Sequence, residues 1–252
     1  FQPAQVDGDG DGAVAPLRGD LRLDDRRLLV VGMVGEHHPR QGGVDVHVVE
    51  VAERVLVATI GGGVVDVGGP AVVATDAQAA DAAPNDAHFA LARLQADFSG
   101  DVVLVTQNVD DLHEKAGMKK VMHMHGALNG ALCASCDHRW EAPLAMNTGD
   151  KCPSCHAPAA RPDIVWFGEM PYEMEEIYGH LATADVFASI GTSGNVYPAA
   201  GFVAEARRYG ARTIEFNLEP SAVGSQFEDI RIGPATQTLP VWVAEILAAK
   251  NN

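Results

Sequence analysis

The chain has 252 residues and a formal net charge of −16, from Asp+Glu 34 against Lys+Arg 18. That balance argues against a nucleic-acid or anionic-membrane surface and is compatible with a basic partner such as a lysine-bearing peptide. Hydrophobic residues make up 47%, enough to core one large or two small domains. No apolar run approaches the ~20 residues of a membrane span. A basic stretch followed by an apolar one, the mark of a secretory leader, is not visible at the start. With paired metal-type cysteines and no others, the expectation is a cytoplasmic protein with no nucleic-acid or membrane partner.

Residues 1–84 contain no Lys, Ser, Asn, Cys, Tyr or Trp. The repeat from Asp7 to Gly12 resembles a calcium loop but has Arg18 where the bidentate Glu belongs, which rejects that motif. Two apolar runs, Leu28 to Val31 and Val55 to Ala58, suit strands. Each precedes glycines, and neither completes G-x-G-x-x-G followed by a helix. The rest of this segment has poor turn chemistry and no aromatic anchors, so no secondary structure is assigned to it. A stretch lacking six residue types beside an ordinary one suggests a GC-rich coding frame translated out of phase; a divergent N-terminal region is the alternative. Residues 1–84 are therefore expected to stand apart from the fold of the rest.

From Pro84 the character changes. Asn85 or Asp86 can cap a helix running to about Asp97, with Phe89, Leu91 and Leu94 apolar. Ser99-Gly100 ends it, and Val102 to Val105 reads as a buried strand. That strand breaks into Thr106-Gln107-Asn108-Val109-Asp110, and in open α/β sheets ligands sit beyond such carboxyl ends. Asp111 to Ala116 makes a short helix with Gly117 placed to end it. Val121 to Gly126 then brings His123 and His125 back, so amide, carboxylate and imidazole groups gather within a short span. Such groups can orient a polar ligand and move a proton.

Next comes Cys133-Ala-Ser-Cys136, fifteen residues, and Cys152-Pro-Ser-Cys155. This is a zinc-site spacing, and it uses all four cysteines of the chain. Four thiolates close a tetrahedral shell, so the zinc is read as structural; two disulfides or four unrelated thiols are the alternatives. Ile164 to Pro171 is apolar and then punctuated. Glu173 to Ala182 reads as a helix, Asp185 to Ile190 as a strand running into Gly191-Thr-Ser-Gly194, Pro198 to Arg208 as a helix, Thr213 to Phe216 as a strand ending in Asn217-Leu-Glu-Pro220, and Val241 to Ala249 as a terminal helix. Helix feeding strand is α/β grammar. In a parallel sheet the three polar strand ends line one edge, where a nucleotide would lie.

TQNVDDLHEKAG, HMHG, the two Cys pairs, VWFGEMP, GTSGNVYPAAGF and NLEPS together resemble a bacterial sirtuin of the CobB type. The resemblance covers about residues 83–249, with motif order and spacing both in agreement. It implies an NAD-dependent protein lysine deacylase with NAD and zinc as cofactors and acyl-lysine proteins as substrates. The implied fold class is α/β, a Rossmann-like parallel sheet with an inserted small zinc-binding module. On that basis 85–126 and 165–252 form the NAD-binding domain, 127–164 the zinc module, and 1–84 an unmatched region.

Carried over by motif, His125 is the catalytic base; the HG context, which His123 lacks, selects it, and His123→Ala is expected to cost far less. Gln107, Asn108, Val109 and Asp110 face the nicotinamide ribose; an Asx-turn closing the strand is the plain alternative. Gly191, Thr192 and Ser193 face the adenosine side, Asn217, Leu218 and Glu219 its ribose, and Ala235 the adenine. Cys133, Cys136, Cys152 and Cys155 hold zinc. Val165, Trp166 and Phe167 line the substrate channel, where a peptide adds as a strand; core packing is the competitor for Trp166. The family's opening loop, GAGISxxSGI-x-x-FR, which cradles the NAD phosphates, has no match in residues 1–84, and neither does the Tyr-x-x-Arg pair that reads acidic acyl groups. The alternative function is a catalytically impaired sirtuin-like zinc protein.

Overall fold

The computed structural model describes residues 26–32, 47–48, 58–59, 72–74, 82–143, 145–147, 149–166 and 168–249. The N-terminal segment contributes β1 (Arg27–Gly32), β2 (His47–Val48), β3 (Ala58–Thr59) and β4 (Val72–Ala74). After it come α1 (Asp86–Asp97), β5 (Asp101–Thr106), α2 (Leu112–Lys115), β6 (Val121–His123), β7 (Gly126–Cys133), β8 (Arg139–Glu141), β9 (Ala145–Asn147) and β10 (Ala160–Ile164). The C-terminal part holds α3 (Met174–Thr183), β11 (Val186–Ile190), α4 (Phe202–Arg208), β12 (Arg212–Asn217), β13 (Asp229–Ile232) and α5 (Ala235–Ala249).

Among the described residues six strands form one sheet in the order β13-β12-β11-β1-β5-β6, and every pairing between them is parallel. All six carboxyl ends therefore share one edge. The order reverses at β1, with β5 on one side and β11 on the other. A crevice at such a reversal is where open α/β sheets bind ligands.

Two apolar faces cover the sheet, as the period of two along a strand requires. Leu28 and Val30 of β1, Leu104, Ile190 and Phe216 pack against Leu91 and Leu94 of α1 and Leu239, Trp242 and Ile246 of α5. Leu29 and Val31, Val105 and Phe187 pack against Ile177 and Leu181 of α3 and Phe202, Val203 and Ala206 of α4. Leu28 to Val31 are each 0–2% exposed, so each contributes roughly 1.5–3 kcal/mol of burial. The expectation that residues 1–84 stand apart does not hold at β1, which occupies the centre of the sheet. Of the second expected strand, Ala58 opens β3 and residues 55–57 lie outside the described residues.

The cysteine segment lies on a second sheet, antiparallel, in the order β10-β7-β8. Beside it, β9 pairs with β4. Two helix starts differ from expectation. Pro198 is followed by a 3-10 turn, Ala199–Gly201, before α4 begins. α5 begins at Ala235 and runs through Pro240. One lost backbone donor is outweighed there by a continuous apolar face, Leu239, Trp242, Val243 and Ile246, that is buried on the sheet.

Candidate active site and metal centre

The turn after β5 is held by its own polar atoms and by the chain that returns beneath it. The Thr106 hydroxyl accepts the Asn108 N–H at 3.0 Å and reaches the Gly32 carbonyl at 3.5 Å. Asp110 accepts the Leu112 N–H at 3.0 Å, starting α2. Three successive carbonyls then meet partners from the returning strand. His125 Nδ1 lies 3.2 Å from the Gln107 oxygen, His123 Nδ1 lies 3.4 Å from the Asn108 oxygen, and the Leu128 N–H donates to the Val109 oxygen at 2.8 Å.

A carbonyl only accepts, so Nδ1 of His125 carries its proton and Nε2 keeps its lone pair. Burial lowers the pKa of His125, with the Gln107 carbonyl opposing in part. The ring is thus a neutral base at neutral pH. β6 ends at His123 and the chain turns at Met124-His125, and both rings reach carbonyls of the same turn.

The side-chain nitrogen of Gln107 is buried and has no hydrogen-bond partner among the described residues. Gln107 lines a narrow cleft, about 10 Å³ inside and partly open, with Val31, Phe187, Ser189, Thr192 and Phe227. A buried amide without a partner is costly, so it fits a polar ligand in that cleft. Across the edge, Gly191 adopts φ +64 and donates to the Phe216 carbonyl at 2.8 Å. The Asn217 amide donates to the Thr192 carbonyl at 2.8 Å, and Ser193 O accepts the Ala222 N–H at 3.0 Å. The GTS and NLEP turns are therefore one tied unit, with Leu218 and Glu219 exposed on it. Ala235 opens α5 just beyond the carboxyl end of β13.

Val165 and Trp166 leave β10 beside the histidine turn. The Val165 N–H donates to the His125 carbonyl and the Tyr172 N–H to the Met124 carbonyl, both at 2.9 Å. Between them Glu169 accepts the Trp166 N–H at 3.0 Å and the Arg161 guanidinium at 3.1 Å. Asp163 takes the Tyr172 hydroxyl and Arg139 Nε, both at 2.8 Å, joining this loop to β8. Phe167 lies outside the described residues. Sequence patterns marked Thr106 only as a strand-end hydroxyl and did not single out Glu114, Ser189, Glu169 or Asp163, whose roles arise from contacts between segments.

The four cysteine sulfurs lie within 4.8 Å of one another. Cys133 and Cys155 are 3.6 Å apart and Cys136 and Cys152 3.8 Å, and no disulfide joins them. A tetrahedron with Zn–S bonds of about 2.3 Å has edges of about 3.8 Å. The N–H groups of Ser135 and Ser154 point at Cys133 and Cys152 sulfur at 3.4 and 3.3 Å, which favours thiolates. The donor set fits a zinc ion.

The Sir2 family profile matches residues 71–198. An NAD-dependent protein deacylase of Vibrio vulnificus (strain YJ016) is 53% identical over 166 residues, 66% of this chain and 68% of that one. This chain belongs to the Sir2 family. Among solved structures, a Sir2 homologue in complex with NAD aligns with a TM-score of 0.63 and 34% identity, covering 68% of this chain and 67% of that one. A Sir2 protein bound to an acetylated peptide aligns with a TM-score of 0.58 and 26% identity, covering 66% and 71%. Among the described residues no helix is long and apolar enough to cross a membrane.

Proposed function

We propose that this sirtuin removes acyl groups from protein lysines in an NAD-dependent reaction giving nicotinamide and O-acyl-ADP-ribose. The observation that carries the reading is the pairing, on one sheet edge, of a neutral His125 with the unpartnered Gln107 amide that lines the cleft. NAD bound there supplies an electrophilic ribose carbon with nicotinamide as its leaving group. Gln107, Asn108, Val109 and Asp110 hold the nicotinamide ribose. Gly191, Thr192 and Ser193, then Asn217, Leu218 and Glu219, and Ala235 hold the adenosine end. Nε2 of His125 takes a ribose hydroxyl proton. Val165, Trp166 and Phe167 pair with the acyl-lysine peptide as an added strand, so that the lysine side chain enters beside His125. Zinc on Cys133, Cys136, Cys152 and Cys155 holds the module of residues 127–164. The NAD-binding domain is 85–126 and 165–252 with β1 added. The acyl group removed is acetyl, with succinyl as a further candidate.

Mass spectrometry of an acetyl-lysine peptide incubated with the protein tests this. Deacetylation with NAD and none without it is expected; deacetylation that ignores NAD contradicts it. A second reading, an impaired sirtuin, is favoured by one observation: the sequence leaving β1 is Gly32-Met33-Val34-Gly35-Glu36, which lacks the glycine-serine cradle for phosphates. Calorimetry with NAD and with nicotinamide riboside separates the two. An impaired protein gains nothing from the phosphates, whereas an intact one binds NAD far more tightly.

A further inference from the structure

His125 has a neighbour with the same ring and a different task. His123 Nε2 lies 2.7 Å from Glu114 Oε1 on α2, and its Nδ1 faces the Asn108 oxygen at 3.4 Å. Both facing atoms are acceptors. A neutral imidazole has one N–H and serves one of them; placed on Nε2, it leaves the Nδ1 lone pair opposite a carbonyl oxygen. The imidazolium satisfies both. At 3.4 Å the second contact is long for a hydrogen bond, so charge carries most of it.

We propose that His123 is a positioning residue, held as an imidazolium by Glu114, which fixes the Asn108 carbonyl and with it the Gln107–Asp110 turn. The inference rests on the reading of that turn as the ribose-facing one. Within the HMH sequence one histidine is then kept neutral as a base and the other is kept charged as a strut.

The surroundings agree. Burial pushes the pKa of His123 down, but the hydrogen bond and charge of Glu114, then the Asn108 carbonyl and Asp110, lift it above 6.5 overall. Burial pushes Glu114 up, but the bond from His123 brings it below 4.5. His113 of α2 stands beside the pair and His88 of α1 beyond it, with ring centroids 4.8 Å apart. Burial first, then His88, lower the pKa of His113 to about 4, so it places no second cation against His123 near neutrality. The strut is complete between the Glu114 pKa, below 4.5, and the His123 pKa, above 6.5. It is lost as pH rises through the latter or falls through the former.

The test is NMR on the full isotope-labelled chain, following the His123 ring and the Asn108 carbonyl carbon across pH. The account expects one shared midpoint above 6.5. Glu114→Gln should move both midpoints down together. His123→Ala should abolish the carbonyl titration while the His125 ring keeps its midpoint below 6.5. A His123 midpoint below 6.5, or an Asn108 carbonyl indifferent to the His123 ring, overturns the proposal. Glu114→Gln changes one atom of an exposed side chain, so it keeps the test available if His123→Ala does not fold. Calorimetry with NAD supplies a second readout. Affinity should weaken roughly threefold as pH passes the His123 midpoint, the scale of one long contact to a charged group, and should stay level in His123→Ala. A pH-independent affinity in the unsubstituted chain counts against the positioning role. No NAD binding at any pH would instead contradict the ribose-facing reading, and the carbonyl titration then decides the strut by itself.

Discussion

The His125 ring meets the Gln107 carbonyl through Nδ1, and that contact sets both its tautomer and its aim. Its lowered pKa means the base form persists below the ordinary histidine range. The acid limb of a pH profile for deacetylation should therefore have its midpoint below 6.5, and a limb above it would show that another group titrates. His125→Ala should lower kcat/KM by ~10²–10⁴-fold, with zinc content unchanged by metal analysis. His113 makes a separate prediction. Buried and without a ring hydrogen bond among the described residues, it has a pKa of about 4 against 6.5. Its contribution is present above 6.5 and is lost as pH falls through about 4. Denaturant titrations should show His113→Leu keeping on the order of 3 kcal/mol more stability than the unsubstituted chain on acidification from about pH 7 to about pH 4. Equal losses would mean that the ring is not buried neutral. His125 could be picked from the sequence by its HG context. His123 could not, because its bond to Glu114 depends on α2 and β6 lying side by side.

β1 is the element on which the edge depends. Its four central residues face both cores, and its end at Gly32 sits where the strand order reverses. Leu29→Ala should lower the unfolding free energy by about 2–5 kcal/mol; a change under 0.5 kcal/mol in denaturant unfolding would remove β1 from the core. The apolar run Leu28 to Val31 was legible as a strand, but not its place, because parallel pairing joins residues far apart in sequence, Leu28 with both Val102 and Val186. β13 went unread because it is four residues long and its apolar members, Ile230 and Ile232, are the exposed ones while Asp229 and Arg231 are half-buried. Residues 127–164 were readable as a metal module since tight C-x-x-C turns have a fixed geometry. Purified protein should hold about one zinc per chain, and Cys152→Ser should lower that and destabilise the β10-β7-β8 sheet. Full stability without zinc under reducing conditions would contradict the zinc reading.

Across the molecule, six carboxyl ends bring the TQNVD, GTSG and NLEP turns to one edge, and the HMHG turn joins that edge to the segment after β10 through Val165 and Tyr172. This arrangement was legible from motif order, because each turn follows a buried strand. The segment after β1 was not, since residues 33–46 carry no motif for a phosphate and lie outside the described residues. Resequencing the DNA upstream of codon 84 tests the out-of-phase reading directly; a GAGIS-like frame is expected there. The most direct test of the whole account is nicotinamide release, with acetyl-lysine peptide and NAD, by three proteins: this chain, the chain with a GAGIS-type segment grafted after β1, and the graft carrying His125→Ala. The account predicts strong peptide-dependent release from the graft, far weaker release from the ungrafted chain, and loss of turnover in the His125→Ala graft. Equal release from the graft with and without His125 would contradict it.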